Sequence, residues 1–427
     1  MTRQLPDQAV FSAAGPLRGT AHLPGDKSVS HRALLYAGLA EGTSQVRGLS
    51  DGDDVARTRS ALLALGVEMD GDHVRGGRSR LAEAERSIDL GNSGTGLRLL
   101  AGLAAGLPFL TILEGDRSIH RRPMGRVVEP LRAMGAAVDG RDGGRLAPLV
   151  VRGGDLHGID YAPPVPSAQV KGAILLAGLA ADGVTTVREP VVTRRHSEEL
   201  LARFGATVET EATTGGGQVV RVRPGALAPT ELDVPADPSQ AAFLAVAACL
   251  VPGSEVRLER VYVGPGRAGF VEVLRRMGAA VEVVARDATT ADLVVGHAPL
   301  TATTVGGAEV PDCIDEIPVL AVAAAFAEGT TRFVDAAELR VKESDRVAAV
   351  VAGLRAIGAR AEELPDGLVV EGDPTLSPQG RVDAHGDHRV AMAFAVAALR
   401  GGPVTVDGFA SVATSWPGFA DTLAALR

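Results

Sequence analysis

The chain has 427 residues, too many for one ordinary hydrophobic core, so the sequence predicts two or three domains. Its net charge of −9 disfavours nucleic acid as a partner, because a surface that binds a phosphate backbone is normally basic. The sequence has no secretory leader and no charge-free apolar run of about 18 residues, so we expect a cytoplasmic protein that does not enter the membrane.

The cysteine and histidine content predicts neither a disulfide framework nor a metal site. Cys249 lies in a long apolar run and is expected in the core, and its spacing from Cys313 fits no zinc pattern. His31, His196 and His388 share no metal-ligand spacing. Because aromatic residues are only 3% of the chain, the core must consist mainly of alanine, leucine and valine, which suits layers of helix on sheet.

Lysine is rare in this chain. Only Lys27, Lys171 and Lys342 stand among 43 basic residues, and all three occur in short polar runs before apolar stretches. Arginine supplies the same charge, but an ammonium group is a compact charge whose pKa can approach neutrality. The retained lysines are therefore candidates for sites where arginine would fail, and Lys27 and Lys342 are the strongest candidates.

A pattern of helix, glycine and strand recurs along the chain and predicts a repeat architecture. In five places a Leu-x-x-x-Gly segment precedes a strand-like stretch, and a glycine just after a helix can adopt the left-handed conformation at little cost. The residues from Thr422 to Arg427 resemble a sixth such helix. The five glycines are Gly66, Gly135, Gly205, Gly278 and Gly358.

A second kind of helix alternates with the first, also six times. These helices are rich in Ala, Leu and Val all round, which indicates burial on every side, with sheets outside. Each repeat then has about 71 residues (427/6) and is only marginally stable alone, because it cannot cover its own apolar faces. The predicted second helices are Ser30–Ala40, Thr95–Ala105, Gln169–Ala181, Gln240–Leu250, Ile317–Ala327 and Arg389–Leu399.

Polar residues concentrate at the starts of these second helices, where free backbone N–H groups favour anions. Arginine forks and lysines in such number suit a ligand that carries a phosphate and a carboxylate. Asp315, Glu343 and Asp387 would lie among the cations, and an ionised acid there is a candidate general base. The alternative interpretation of each acid is a helix N-cap, and this interpretation also fits Asp237 and Ser239. The cations are Lys27, Arg32, Arg98, Arg122, Lys171, Lys342, Arg346 and Arg389.

The run from Gly91 to Gly96 is rich in glycine but matches no nucleotide-binding loop. No Gly-Lys-Ser/Thr follows it, and the dinucleotide spacing is absent. Gly94 would let a ligand approach the backbone closely.

Seven motifs, in this order, resemble the 5-enolpyruvylshikimate-3-phosphate synthase family over essentially the whole chain. The Ser-Ala-Gln form of the fourth motif and the run Thr193-Arg194-Arg195-His196 resemble the branch that includes glyphosate-tolerant enzymes. The motifs are Leu23–Arg32, Gly91–Arg98, Arg122–Met124, Ser167–Lys171, Ile314–Pro318, Arg340–Arg346 and Asp387–Arg389.

The resemblance implies an α/β fold of two domains, each an inside-out α/β barrel of three βαβαββ-type repeats, with the active site in the cleft between them. One domain would span residues 21–235, and the other residues 1–20 plus 236–427, with crossovers near Ala21 and Val234–Ala236. Members of the family are usually monomers, and the resemblance implies no metal and no organic cofactor.

The resemblance also implies a reaction, in which the enolpyruvyl group of phosphoenolpyruvate moves to the 5-hydroxyl of shikimate 3-phosphate and phosphate is released. Lys27, Asp315 and Glu343 would be catalytic, with the two acids sharing base and relay roles. The implied ligands of shikimate 3-phosphate are Lys27, Ser28, Arg32, Ser167, Ala168, Gln169, Arg194, Asp315 and Lys342. Those of phosphoenolpyruvate are Lys27, Asn92, Gly94, Arg122, Gln169, Arg346, His388 and Arg389.

Three positions bear on affinity. Thr414 stands where many members have a lysine that touches phosphoenolpyruvate, and Arg195 stands where the tolerant branch often has Asp. Gly94, in place of alanine, leaves room beside the backbone, so we expect sensitivity to glyphosate despite the tolerant-like motifs.

Three rival interpretations remain open at this point. The sister family, UDP-N-acetylglucosamine enolpyruvyl transferase, usually has a reactive cysteine near the Arg-Pro motif, but the run from Gly115 to Pro123 has none. A non-catalytic anion-binding protein is disfavoured by Asp315 and Glu343, since acids would weaken an anion site. A paralogue that acts on a related cyclic phosphate in a specialised pathway is also compatible with the motifs.

Overall fold

The computed structural model describes residues 5–427 and divides the chain into two compact units. The chain passes from one unit to the other between Pro24 and Gly25, and back between Val234 and Pro235. The first unit is Gly25–Val234, and the second combines the described residues up to Pro24 with Pro235–Arg427. Residues 1–4, which the predicted second domain includes, lie outside the described part.

Strands and helices alternate along the whole described chain. The strands are β1 (Gln8–Phe11), β2 (Arg18–Ala21), β3 (Gly42–Arg47), β4 (Glu68–Asp70), β5 (His73–Gly76), β6 (Ile88–Asp89), β7 (Leu110–Glu114), β8 (Ala137–Arg141), β9 (Leu146–Arg152), β10 (Asp160–Tyr161), β11 (Thr185–Glu189), β12 (Val208–Ala212), β13 (Gln218–Val222), β14 (Glu231–Asp233), β15 (Glu255–Tyr262), β16 (Ala280–Ala285), β17 (Thr290–Gly296), β18 (Thr304–Val305), β19 (Gly329–Phe333), β20 (Arg360–Leu364), β21 (Gly367–Gly372), β22 (Gly380–Asp383) and β23 (Val404–Asp407). The helices are α1 (Lys27–Leu39), α2 (Asp53–Ala64), α3 (Gly94–Ala105), α4 (Gly125–Ala133), α5 (Ala168–Gly178), α6 (His196–Arg203), α7 (Pro238–Leu250), α8 (Gly269–Arg276), α9 (Val310–Cys313), α10 (Ile317–Ala325), α11 (Arg346–Ala356), α12 (His388–Ala397) and α13 (Phe419–Ala425).

One sheet topology occurs six times, three times in each unit. In the unit Gly25–Val234 the strand orders are β14-β3-β5-β4, β6-β7-β9-β8 and β10-β11-β13-β12, and in each sheet the first pair is parallel and the others antiparallel. The second unit repeats this pattern in β2-β15-β17-β16, in β18-β19-β21-β20 and, with three strands, in β22-β23-β1. The predicted count of six repeats, three to a unit, is confirmed. Across the described residues the six sheets are separate.

The predicted glycines end the first kind of helix as expected. Gly66, Gly135, Gly205, Gly278 and Gly358 all have φ between 84° and 106°, and each follows the last residues of a helix. In every case the next residue donates its N–H to a carbonyl five residues earlier, as Val67 does to Leu62. This is the Schellman arrangement, which satisfies carbonyls left over at the helix end. The sixth helix is α13, at the predicted place.

The second kind of helix forms the centre of each unit. All residues of α7, α10 and α12 are buried, and so are all but one of α1. In the first unit α3 packs closely on α5, and the glycine at position 102 makes this approach possible. A Cβ on Gly102 would lie only 2.3 Å from the carbonyl oxygen of Ala173. Burial on every side explains why these helices show no polar face. Within residues 5–427 no helix combines the length and apolar character required to span a bilayer.

Candidate active site

The start of α1 places Lys27 against a carboxylate that the sequence analysis did not single out. Asp26 caps the helix, accepting the N–H of Val29 at 2.8 Å. The Nζ atom of Lys27 lies 2.8 Å from Oδ2 of Asp54, and both side chains are largely buried. Asp54 lies in the first turn of α2, where an acidic residue is readily explained by the helix dipole alone. Only the long-range contact distinguishes it.

Arg32 joins the starts of α1, α5 and α6. Its guanidinium donates to the Ser197 hydroxyl at 2.8 Å, to the Ser28 carbonyl at 3.0 Å and to the Ala168 carbonyl at 3.1 Å. Burial lowers the pKa of Arg32, and the lowering is partly offset by nearby Tyr36 and Glu198. Arg194 reaches the Ser28 hydroxyl at 3.5 Å. The structure thus places Ser28, Arg32, Ala168 and Arg194, four of the residues expected to bind shikimate 3-phosphate, next to one another.

Gln169 links α5 to α3 through two hydrogen bonds. Its amide nitrogen donates to the Thr95 hydroxyl at 2.8 Å, and its amide oxygen accepts from Arg98 at 2.6 Å. Arg98 also donates to the carbonyl of Pro123 at 3.0 Å. Ser167, one residue before α5, caps that helix through the N–H of Val170. The side chain of Gln169 is therefore fixed by partners on both sides.

Gly94 allows the guanidinium of Arg122 to lie on the first turn of α3. An added Cβ at Gly94 would lie 2.6 Å from Cζ of Arg122 and 2.7 Å from each terminal nitrogen. Nη1 of Arg122 donates to the carbonyl of Asn92 at 3.2 Å. The space next to Gly94 is thus occupied by an arginine in this structure. A guanidinium beside a helix N-terminus forms an anion-binding surface.

In the second unit Arg346 holds three carboxylates at once. Its guanidinium lies 2.8 Å from Asp387, 3.1 Å from Asp315 and 2.6 Å from Glu343. The side chain is buried, and although burial opposes its charge, Asp387, Glu343 and Asp315 raise the pKa of Arg346 above its usual value. The acids predicted to lie among cations do so. Asp387 is also the N-cap of α12, through the N–H of Arg389 at 2.9 Å.

Two further cations flank the same carboxylates. Nζ of Lys342 lies 3.7 Å from Oδ1 of Asp315, and Arg389 donates to the Asp315 carbonyl at 3.1 Å. Burial lowers the pKa of Lys342, with Asp315 opposing the shift. An ammonium with a lowered pKa exchanges protons more readily near neutral pH. His388, the first residue of α12, is buried.

A second buried network lies at the start of α10, where Glu316 directly follows Asp315 in the chain. Arg267 donates to Asp237 at 2.7 Å, to the Ser239 hydroxyl at 2.7 Å and to Glu316 at 3.2 Å, and Ser239 also donates to Glu316. Asp237 caps α7, as predicted, but it is also an ion-pair partner. Arg267 was not predicted as a site residue, because it follows a Gly-Pro-Gly run and lies in no helical or strand pattern of the sequence. Its two acidic partners, Asp237 and Glu316, lie 30 and 49 residues away in the chain.

Four other residues that the sequence singled out lie apart from these clusters. Lys171 is fully buried between two glutamates, so its ammonium is not available to a ligand. Cys249 is buried in the core, and burial raises its pKa to about 12. Cys313 is buried as well, and burial raises its pKa. Thr414 is buried at the end of a short 3₁₀ helix, Phe409–Thr414. Among residues 5–427 no group of His, Cys, Asp and Glu side chains is arranged to hold a metal ion.

Comparison with known proteins identifies the family of the chain. The family model described as "EPSP synthase (3-phosphoshikimate 1-carboxyvinyltransferase)" matches residues 12–423. A 3-phosphoshikimate 1-carboxyvinyltransferase from Halorhodospira halophila is 49% identical over 425 residues, covering 96% of this chain and 94% of that protein. The enzyme of the same name from Sphingopyxis alaskensis is 47% identical over the full length of both.

Solved structures agree with this result. EPSP synthase from Acinetobacter baumannii superposes with a TM-score of 0.85 at 39% identity, covering 98% of both chains. The enolpyruvyl transferase NikO from Streptomyces tendae has a TM-score of 0.78 at 20% identity, covering 98% of this chain and 96% of its own. At that identity the second likeness shows the fold alone.

Proposed function

The chain belongs to the EPSP synthase (3-phosphoshikimate 1-carboxyvinyltransferase) family. We propose that the polar residues around Lys27 and Arg32 and those around Arg346 carry out enolpyruvyl transfer. The substrates are phosphoenolpyruvate and shikimate 3-phosphate. The observation that carries the proposal is the set of contacts around Arg346, where a buried guanidinium holds Asp315 and Glu343 beside Lys342. Acids kept among cations are suited to moving protons on an anionic substrate.

The chemistry has two steps. In the addition, the 5-hydroxyl oxygen of shikimate 3-phosphate bonds to C2 of phosphoenolpyruvate, its proton goes to a base, and C3 of phosphoenolpyruvate gains a proton to become a methyl group. In the elimination, the C2–O bond to phosphate breaks, and the methyl group loses a proton, so that a new enol ether and inorganic phosphate form. One proton enters and leaves at C3, and one leaves the hydroxyl.

We assign the proton transfers to Lys27, Asp315 and Glu343. Lys27 is paired with Asp54 at 2.8 Å, so its ammonium is held in place and can act as the acid for C3. Asp315 and Glu343 share the base and relay roles, since both are fixed by Arg346. Positioning by fixed charges is a large part of catalysis for charged transition states.

Substrate binding is assigned by the same contacts. Shikimate 3-phosphate would be bound by Lys27, Ser28, Arg32, Ser167, Ala168 (through its backbone), Gln169, Arg194, Asp315 and Lys342. Phosphoenolpyruvate would be bound by Lys27, Asn92, the backbone of Gly94, Arg122, Gln169, Arg346, His388 and Arg389. The guanidinium groups supply bidentate contacts to phosphate and carboxylate. No resident cofactor is required by this chemistry. We also propose that the protein acts as a cytoplasmic monomer and binds no nucleic acid, in keeping with its net charge of −9.

The test is phosphate release from phosphoenolpyruvate, measured with shikimate 3-phosphate, with UDP-N-acetylglucosamine and with no acceptor. We expect release that requires shikimate 3-phosphate and is lost in Lys27→Met, with circular dichroism showing that the variant is folded. Release with UDP-N-acetylglucosamine alone would instead assign the sister reaction, although no cysteine occurs from Gly115 to Pro123. Absence of release with either acceptor from folded protein would refute the assignment.

A further inference from the structure

Lys171 lies at the centre of a closed network that the transfer chemistry does not use. Its Nζ atom is 2.7 Å from Oε2 of Glu189 and 2.7 Å from Oε1 of Glu198, and none of its side chain is exposed. Gln218 donates to the same two glutamates, at 2.6 and 3.1 Å. Thr193 donates its hydroxyl to the other oxygen of Glu189. One lysine, one amide and one hydroxyl thus serve two buried carboxylates.

The network holds both ends of one loop. Glu189 is the last residue of β11, where it pairs with Gln218 of β13, and Glu198 lies in the first turn of α6. The loop between β11 and α6, residues 190–195, carries Thr193 and Arg194. Since Glu189 and Glu198 share the ammonium of Lys171 on α5, the path of this loop is fixed relative to α5 at its start, at Thr193 and at its end.

Two arginines depend on that loop. Arg194 follows Thr193 directly and reaches the Ser28 hydroxyl. Arg32 donates to the hydroxyl of Ser197, the neighbour of Glu198. The backbone of α5 comes close to both, because a Cβ on Gly172 would lie 2.9 Å from Oγ of Ser197 and 3.4 Å from Nη2 of Arg32. A displacement of α6 from α5 would therefore move the Ser197 hydroxyl, which binds Arg32, together with the backbone that carries Arg194.

The identity of the side chain also follows from this geometry. An ammonium is a compact donor that reaches both carboxylates at 2.7 Å in a space closed to solvent. A planar guanidinium with its five N–H donors is larger than an ammonium and would need more room than this closed space provides. This explains a lysine in a chain whose other basic residues are almost all arginine.

We propose that Lys171 is a positioning residue for shikimate 3-phosphate, which through Glu189 and Glu198 fixes the orientation in which Arg194 and Arg32 bind that substrate. The inference rests on the proposed function, since it takes Arg194 and Arg32 as ligands of the phosphorylated acceptor. A buried cluster with a purely structural role would affect only the free energy of unfolding. A positioning role affects the affinity of the folded protein for one substrate and leaves the other unchanged.

The experiment measures the Kd for shikimate 3-phosphate by titration calorimetry, the KM for phosphoenolpyruvate at saturating acceptor, and the melting temperature. In Lys171→Met we expect the Kd to rise at least tenfold, with the KM for phosphoenolpyruvate within threefold of wild type. Thr193→Val leaves no buried charge unpaired and removes only the hydroxyl contact to Glu189. There we expect the Kd to rise severalfold, with a fall in melting temperature smaller than in Lys171→Met, and this variant decides the matter if Lys171→Met does not fold.

The matched control is Asp292→Asn in the second unit. Asp292 is an equally buried carboxylate held by Arg257 and Arg286 on a sheet, and we expect its replacement to lower the melting temperature without changing the Kd. Wild-type Kd values in folded Lys171→Met and in Thr193→Val would overturn the inference while leaving the proposed function intact. A wild-type protein that does not bind shikimate 3-phosphate, or an Arg194→Ala variant that binds it normally, would refute the assignment on which the inference rests.

Discussion

Replacing Gly94 by alanine tests how closely Arg122 must approach the first turn of α3. The new Cβ would start 2.6 Å from Cζ of Arg122, and ordinary contact begins at 3.4 Å, so the guanidinium has to retreat. The backbone at Gly94 does not require glycine, because its φ is not positive. The substitution therefore acts on one side chain and leaves the helix in place.

The size of the effect follows from the bonds that Arg122 makes. Its hydrogen bond to the carbonyl of Asn92, at 3.2 Å, has little room to lengthen. A hydrogen bond to a charged group contributes about 1.5–3 kcal/mol. If the retreat removes one such bond to phosphoenolpyruvate, we expect its KM to rise roughly tenfold to a hundredfold. Alanine is also a better helix former than glycine, so the melting temperature should be unchanged or higher.

The assay is steady-state phosphate release at saturating shikimate 3-phosphate, with a Kd for that substrate measured separately. Gly125→Ala is the matched control: Gly125 is also the first residue of a helix, but its added Cβ would meet its nearest neighbours at 3.6 Å, an ordinary contact. A Gly94→Ala enzyme with the KM of wild type, or a Gly125→Ala enzyme with an equally raised KM, would refute the reasoning.

The remaining predictions concern catalysis, pH, a helix end and an inhibitor. Glu343→Gln removes a base but keeps a partner for Arg346, and we expect kcat to fall at least about a hundredfold in the phosphate-release assay, with binding of shikimate 3-phosphate retained; a kcat within threefold would contradict its role. Burial, with Lys27 and Arg32, lowers the pKa of His31 well below 6.5, so the unfolded state binds the extra proton and stability should fall as pH drops below about 6.5; chemical denaturation at pH 7.5 and 5.5 should show this slope and lose part of it in His31→Asn. Gly205→Ala forces φ of 84° on a residue with a Cβ and should cost about 1–2 kcal/mol in urea denaturation, with unchanged kcat. Arg122 occupies the space beside Gly94 in this structure, but the glycine still lacks the methyl group that alanine would add there, so we expect inhibition by micromolar glyphosate; indifference to millimolar glyphosate in the same assay would contradict this.

Features set by neighbouring residues could be predicted from the sequence. The Leu-x-x-x-Gly segments gave the ends of five helices, because the Schellman arrangement involves only six successive residues. The central helices were predicted from their uniform apolar composition, and α7 and α10 are buried on all sides. Their polar first turns were predicted too, and Asp237 does cap α7.

Features set by residues far apart in the chain could not be predicted in this way. Asp54 pairs with Lys27, and Arg267 with Glu316, yet each looks unremarkable in its own segment. For Lys171 the sequence suggested a ligand-binding role that its long-range contacts do not support. Its run resembles the polar starts that carry ligand-binding residues, and only its contacts with Glu189 and Glu198 reveal that it is enclosed. Periodicity records which face of an element is buried, but it does not record the partner of a buried charge.

The sheet that contains β1 has a consequence for the order in which the protein can form during synthesis. Gln8 of β1 pairs with Asp407 of β23, and Arg18 of β2 pairs with Glu255 of β15. The first two strands therefore cannot pair until much later parts of the chain have been synthesised. The unit Gly25–Val234 contains all of its own strands once Asp233 has left the ribosome. On the ribosome the inserted unit can therefore complete its core first, while β1 remains without a partner until translation is nearly finished.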